Sequence, residues 1–96
     1  MNEGQRKKRL IEIGSRIRKV RKERGLNLHK LALLSGISTP ALSLVETGKR
    51  DLRITTLCQI ASALRVVAGD LLDDRTEEIQ AGTTSKDKGY DLGDYT

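Results

Sequence analysis

Aromatic residues are almost absent from this chain of 96 residues. It contains no Trp, no Phe and two tyrosines, Tyr90 and Tyr95, both within the last seven residues. A folded body without aromatic side chains argues against the nucleic-acid-binding folds that stack unpaired bases on aromatic rings, such as the RNA-recognition sheet and the OB barrel.

Cysteine and histidine are equally scarce, with one residue of each, Cys58 and His29. A single cysteine excludes an intramolecular disulfide, and one cysteine with one histidine cannot form the usual tetrahedral zinc site. We therefore expect neither a metal nor another cofactor. Because Cys58 follows Leu57 in the middle of an apolar helical pattern, we interpret it as a small buried residue.

Long hydrophobic runs are also missing, and the four residues Leu31 to Leu34 are among the longest. A membrane-spanning helix needs about 20 consecutive apolar residues. The basic residues near the N-terminus are not followed by the apolar stretch of a secretory signal. The sequence thus predicts no membrane association and a cytoplasmic protein.

Positive charge is abundant and unevenly distributed. Residues 1–73 contain 15 Lys and Arg against 7 Asp and Glu, a net charge of +8, whereas residues 74–96 contain 3 against 6, a net charge of −3. A basic body favours a polyanionic partner, although charge alone is equally compatible with a solvated surface.

The apolar spacing predicts helices with short connections and no strand. A first helix begins at Leu10, Asn27 caps a second over residues 28–35, and Ser38 caps a third over residues 39–46. Thr55 or Thr56 caps a fourth, and residues 69–72 form a short fifth. We expect a flexible basic arm over residues 1–9, one folded domain over residues 10–73, and a disordered polar tail over residues 74–96. The run from Arg6 to Arg9 is interpreted either as an arm that follows the DNA backbone or enters a minor groove, or as a disordered solubilising arm.

Residues 28–47 combine several requirements of a helix-turn-helix. Small Ala32 suits a close helix crossing, and Gly36 suits a turn that needs a positive φ. The residues spaced to face inward are Leu31, Ser35, Ile37, Leu42 and Val45. So many joint requirements favour a helix-turn-helix over an ordinary helical hairpin.

Residues 13–72 resemble the XRE family of regulators, which includes the lambdoid phage repressors and Cro. The motifs that carry the resemblance are Arg21-x-x-x-Gly25-Leu26, Leu31-Ala32, Gly36-Ile37-Ser38, Leu42-Ser43-x-x-Glu46-x-Gly48-Lys49 and Leu57-x-x-Ile60-Ala61-x-Ala63-Leu64. The resemblance implies an all-α, compact five-helix bundle, a lambda-repressor-like DNA-binding domain. It also implies a homodimer that binds double-stranded DNA at inverted repeats.

The same resemblance implies roles for individual residues. Arg21 and Glu46 correspond to a structural ion pair between the first and third helices. Base contacts are implied for Thr39, Pro40, Ala41 and Leu44, and phosphate contacts for Asn27, Ser43, Lys49, Arg50 and Arg53. The family dimerises through its C-terminal region, which implies a dimer interface that includes Val67 and Leu72.

Four leucines depart from the family pattern. Leu28, at the start of the second helix, and Leu44, on the third helix, replace residues that are commonly polar in the family. The third helix therefore lacks Arg, Lys, Asn and Gln, the side chains that make bidentate base contacts. Either DNA shape supplies more of the specificity, or the domain has shifted toward protein binding. Leu33 and Leu34 cannot both face one core on a short helix. They indicate either a protein-partner surface or a surface covered by a terminal segment.

These observations predict a sequence-specific DNA-binding transcription regulator, a repressor or autoregulator. The alternative is a protein-interaction module on the same fold, such as an antitoxin. An enzyme is not expected, because the chain has no Gly-rich phosphate loop and no recognisable catalytic constellation.

Overall fold

A computed structural model describes residues 1–73 as five α-helices. They are α1 (Glu3–Glu23), α2 (Leu28–Ser35), α3 (Thr39–Glu46), α4 (Ile54–Leu64) and α5 (Ala68–Leu72). No β-strand occurs over this range. The predicted all-α five-helix architecture is confirmed, whereas the predicted disordered tail, residues 74–96, lies outside the described residues.

The start of α1 differs from the prediction. The helix begins at Glu3 rather than at Leu10, so residues 3–9 are helical and do not form a flexible arm. The Asn2 side chain accepts a hydrogen bond from the Gln5 backbone N–H at 2.8 Å, and the Gln5 side chain accepts one from the Asn2 N–H at 2.9 Å. This capping box satisfies two N–H groups at the helix end and fixes the N-terminus of α1.

The helix-turn-helix is formed by α2 and α3, which are bent by 111° relative to each other. Asn27 caps α2 through its side chain, and Ser38 caps α3. Gly36 ends α2 with a φ of 76°, the left-handed conformation that the sequence predicted for this turn. The second and third helices therefore begin and end where the sequence placed them.

The core is formed where the five helices meet. Ten apolar residues are buried there: Ile13, Ile17, Leu31, Leu42, Val45, Leu57, Ile60, Ala61, Leu64 and Leu71. The helix pair α1 and α3 approaches so closely that a Cβ atom on Gly14 would lie 2.3 Å from the Val45 carbonyl oxygen and 2.7 Å from that of Glu46. Glycine at position 14 thus sets the distance between α1 and α3.

Two predictions about α4 are wrong. Arg53, not Thr55 or Thr56, occupies the N-cap position, and its side chain makes no capping hydrogen bond. Cys58 is exposed rather than buried. Leu57 faces the core, and the next residue along a helix is turned by about 100°, which carries Cys58 away from it.

Residues 1–73 contain no single helix that is both long and apolar enough to cross a membrane. By length and composition α2 and α3 meet that criterion only when they are taken together.

Candidate nucleic-acid interface

The outward face of α3 carries the residues predicted to contact bases. Leu42 and Val45 bury the opposite face, which leaves Pro40 exposed and Thr39 and Ala41 half-buried. Leu44 is 36% exposed. Ser38 Oγ accepts a hydrogen bond from the Ala41 N–H at 3.2 Å, and this cap fixes the first turn of the face. These four residues offer one hydroxyl, that of Thr39, and several aliphatic groups, which suit contact with thymine methyl groups better than bidentate hydrogen bonding.

Basic side chains border this face on the loop between α3 and α4, residues 47–53. Lys49, Arg50 and Arg53 are all exposed. Arg50 and Arg53 line a groove of about 450 Å³ that also contacts Ala41. Cations that suit phosphate oxygens thus lie directly beside the surface that suits base edges.

The other two residues predicted to contact phosphates lie on the helix-turn-helix itself. Ser43 is exposed on α3, and Asn27 is exposed at the start of α2. The Asn27 Oδ1 atom accepts a hydrogen bond from the Lys30 N–H at 2.7 Å. Because an amide side chain also carries an NH₂ group, Asn27 can cap α2 and donate to a phosphate at the same time.

Arg21 and Glu46 connect α1 to the end of α3. The Arg21 Nε and Nη2 atoms donate to the two Glu46 carboxylate oxygens at 2.7 and 3.0 Å, and Nη1 donates to the Leu26 carbonyl at 2.8 Å. Both side chains are almost fully buried. The hydrogen bonds to Glu46 raise the pKa of the Arg21 guanidinium above its usual value, although burial opposes this. The stabilisation that comes with this raised pKa is therefore present at ordinary pH and is lost as the pH rises into the strongly alkaline range where the guanidinium deprotonates.

The two residues predicted for the dimer interface have different environments. Val67, at the start of α5, is 67% exposed, whereas Leu72 is half-buried against the core. Leu72 also lines an apolar groove between α1 and α4, together with Leu10 and Ile54. Sequence reasoning missed Ile54, which is 70% exposed at the first position of α4. Ile54 precedes Leu57 by three residues and Ala61 by seven, which is the spacing of one helix face, so the periodicity gave no signal of its exposure.

Three of the four unusual leucines are accessible. Leu33 is 67% exposed and Leu34 is 55% exposed, and Leu44 lies on the outward face of α3. Leu28 instead packs against the core, so it is not part of a free surface. Leu34 lines a groove between α2 and α4 that also includes Cys58 and Ala63.

Among residues 1–73, no group of three or more His, Cys, Asp or Glu side chains is arranged to hold a metal ion.

A sequence model described as helix-turn-helix matches residues 17–71 of this chain. The chain belongs to this family, the XRE-type helix-turn-helix regulators. The match covers all of α2, α3 and α4, and therefore the complete candidate interface. The family consists of DNA-binding transcription regulators and not of enzymes.

Two named regulators are similar to this helix-turn-helix chain. The HTH-type transcriptional regulator DdrOP3 of Deinococcus deserti is 36% identical over 63 residues, which cover 66% of this chain and 49% of that protein. The HTH-type transcriptional repressor RghR of Bacillus subtilis is 37% identical over 54 residues, which cover 55% of this chain and 40% of that protein. The match thus spans half or less of the length of these two relatives.

The helix-turn-helix fold also matches solved structures. The restriction-modification controller protein C.AhdI from Aeromonas hydrophila superposes with a TM-score of 0.64 at 32% identity. The superposition covers 65% of this chain and 94% of the controller protein.

Proposed function

We propose that this regulator binds an inverted-repeat operator in double-stranded DNA as a homodimer and represses transcription there. The observation that carries the proposal is the position of Arg50 and Arg53 beside the outward face of α3. Inserting α3 into a major groove would bring these guanidinium groups to the phosphates that border it. The repressor named among its relatives, RghR, supports the direction of regulation.

In this proposal specificity has two sources. Thr39 donates or accepts one hydrogen bond at a base edge, while Pro40, Ala41 and Leu44 contact thymine methyl groups. Because these contacts discriminate fewer bases than Arg or Gln would, the shape of the operator contributes the rest. Contacts with phosphates fix the position and orientation of the protein on the duplex, and they are made by Asn27, Ser43, Lys49, Arg50 and Arg53.

The first test is selection of duplexes from a random DNA pool with the purified protein. We expect an enriched inverted repeat whose half-sites lie about one helical turn, ~34 Å, apart. Enrichment without a second half-site would contradict the dimer, and no retained DNA at low salt would contradict DNA binding. In transcription from a promoter that overlaps the selected site, added protein should reduce the transcript, and an increase would contradict repression.

Substitutions then separate phosphate contacts from base contacts. Arg50→Ala and Arg53→Ala should weaken binding to all sequences alike and flatten the dependence of log K on log salt by about 0.9 for each phosphate that is no longer neutralised. Thr39→Ala should change preference at one base pair by about 1–3 kcal/mol. Arg18→Ala, which removes an exposed charge from α1, is the matched control and should leave binding nearly unchanged. If Arg50→Ala and Arg53→Ala behave like that control, the assignment of these two residues to phosphates is wrong.

A second candidate function is a protein-interaction module, such as an antitoxin. It is favoured by the adjacent exposed side chains Leu33 and Leu34. If the selection retains no DNA at low salt, this surface becomes the next one to test, with Leu33→Ser and Leu34→Ser as variants. If DNA is retained, both variants should bind the selected duplex as tightly as the unmodified protein.

A further inference from the structure

The N-terminal half of α1 lies directly against the loop that carries the candidate phosphate-binding residues. Arg6 Nη1 is 3.1 Å from the Asp51 Oδ2 atom, and Arg6 Nη2 is 2.8 Å from Glu3 Oε2. Farther along the helix, a Cβ atom on Gly48 would lie 2.6 Å from Ile11 Cγ1 and 2.8 Å from Ile11 Cα. An ion pair and a backbone contact therefore hold the first turns of α1 on the α3–α4 loop.

An open groove of about 450 Å³ runs along this junction, and we name it the α1 groove. Its lining includes the cationic residues Arg6, Lys7 and Lys49, together with Ile11, Thr47 and Asp51. The one carboxylate in the groove, Asp51, is paired with Arg6. Within residues 1–73, neither Lys7 nor Lys49 has a carboxylate oxygen within 4.0 Å. The groove thus has two ammonium groups available for an anion.

We propose that the α1 groove binds a backbone phosphate of DNA that flanks the sequence contacted by α3. This inference rests on the proposed DNA binding. Lys49 belongs both to the groove and to the basic loop, so the groove continues the candidate interface beyond the helix-turn-helix. An ammonium group on a flexible stem suits a phosphate oxygen as a point charge.

The helical conformation of residues 3–9 determines how this contact is made. A flexible arm would lose conformational freedom when it settles on DNA, and this loss would oppose binding. In the structure the capping box and the Arg6–Asp51 pair already order the backbone that carries Lys7. Lys7 therefore contacts the flanking DNA from a backbone that is already ordered, and this loss of conformational freedom is avoided.

The experiment measures the affinity for two duplexes, the selected operator and the same operator extended by about one helical turn on each side. The unmodified protein should bind the longer duplex more tightly, and Lys7→Ala should abolish this gain in affinity. The salt dependence of Lys7→Ala on the longer duplex should be shallower by about 0.9 for each phosphate that is no longer neutralised. Lys7→Arg, which keeps the charge, should retain the gain in affinity.

Lys19→Ala is the matched control, because Lys19 is exposed on α1 about 18 Å farther along the helix axis. It should bind both duplexes like the unmodified protein. Thermal unfolding followed by circular dichroism should give the same midpoint for both alanine variants, because neither side chain is buried.

The outcomes distinguish the inference from the function on which it rests. If the unmodified protein binds no duplex, the proposed function fails and the inference fails with it. If it binds and Lys7→Ala keeps the full gain in affinity for the longer duplex, only the inference is wrong. Binding of inorganic phosphate to the unmodified protein and to Lys7→Ala is measured as well. If Lys7→Ala weakens phosphate binding but keeps the full gain in affinity for the longer duplex, the groove takes a free anion and not the DNA backbone, which also overturns the proposal.

Discussion

The Arg21 side chain connects α1 to the end of α3 and to the α1–α2 connection through individual hydrogen bonds. Each of its three guanidinium nitrogens donates a hydrogen bond, two to Glu46 and one to the Leu26 carbonyl. The pair joins residues 25 positions apart. No helical periodicity predicts such a contact, and only the family resemblance placed both residues in one ion pair.

Replacing Glu46 should therefore be costly. Glu46→Ala leaves the buried Arg21 charge without its carboxylate, so we expect the free energy of unfolding in urea to fall by about 3–5 kcal/mol. The exposed pair Arg9–Glu12, with 3.6 Å between Nη1 and Oε1, provides the control. Glu12→Ala should cost less than about 1 kcal/mol. Equal decreases for the two variants would contradict the structural role of the buried pair.

Cys58 marks a limit of prediction at the same scale. Its position in an apolar stretch suggested burial, but Leu57, Ile60, Ala61 and Leu64 already occupy the core face of α4. The helical period assigns one face of a helix reliably and leaves the flanking positions undecided. Exposure at such a position depends on which helix packs beside it.

At the scale of elements, the helix ends separate what the sequence predicts from what it does not. The boundaries of α2 and α3 follow from local capping by Asn27, Gly36 and Ser38, and local rules are readable in the sequence. The start of α1 was missed because its first apolar position is Leu10, while its first turns are held by the capping box at Asn2 and by the contact with Asp51. The Asn-x-x-Gln spacing was the signal that could have found it.

Asn27 allows the capping of an element and the contact to DNA to be tested apart. Asp caps a helix about as well as Asn, and a carboxylate is favourable at a helix N-terminus. Asn27→Asp should therefore unfold at the same temperature as the unmodified protein or slightly above it, yet bind DNA more weakly, because a carboxylate repels phosphate.

Asn27→Ala is the companion variant and should be less stable by about 1 kcal/mol. Calorimetry measures the unfolding of the two variants, and a DNA titration measures their affinity for the duplex. Unchanged DNA affinity of Asn27→Asp would show that no phosphate lies near residue 27.

At the scale of the whole molecule, the proposed dimer needs a surface that two copies can share. Val67 is the one large hydrophobic residue between residues 55 and 73 that is exposed, and it occupies the N-cap position of α5, where its side chain makes no capping hydrogen bond. The family resemblance placed Val67 in the dimer interface together with Leu72. It could not distinguish Val67 from Leu72, because their different exposure arises from tertiary packing.

Val67→Asp should separate the dimer while preserving the fold. Asp is a good N-cap residue, so the substitution suits α5 and at the same time places a charge in an apolar interface. In sedimentation velocity the unmodified protein should behave as a dimer and Val67→Asp as a monomer, with Val67→Ile as the apolar control. Affinity for the two-half-site operator should fall, while affinity for a single half-site stays the same. A variant that still sediments as a dimer would place the interface elsewhere.

The close approach at Gly14 has a consequence for how this chain tolerates change. The spacing between α1 and α3 is set by the backbone carbonyls of Val45 and Glu46, which every amino acid possesses, rather than by the bulk of any side chain. Core residues such as Ile13 and Ile17 can be exchanged for others of similar volume without changing this spacing. Sequence drift in the core is thereby uncoupled from the direction in which α3 points, and new binding specificities can arise on a helix whose orientation is inherited unchanged.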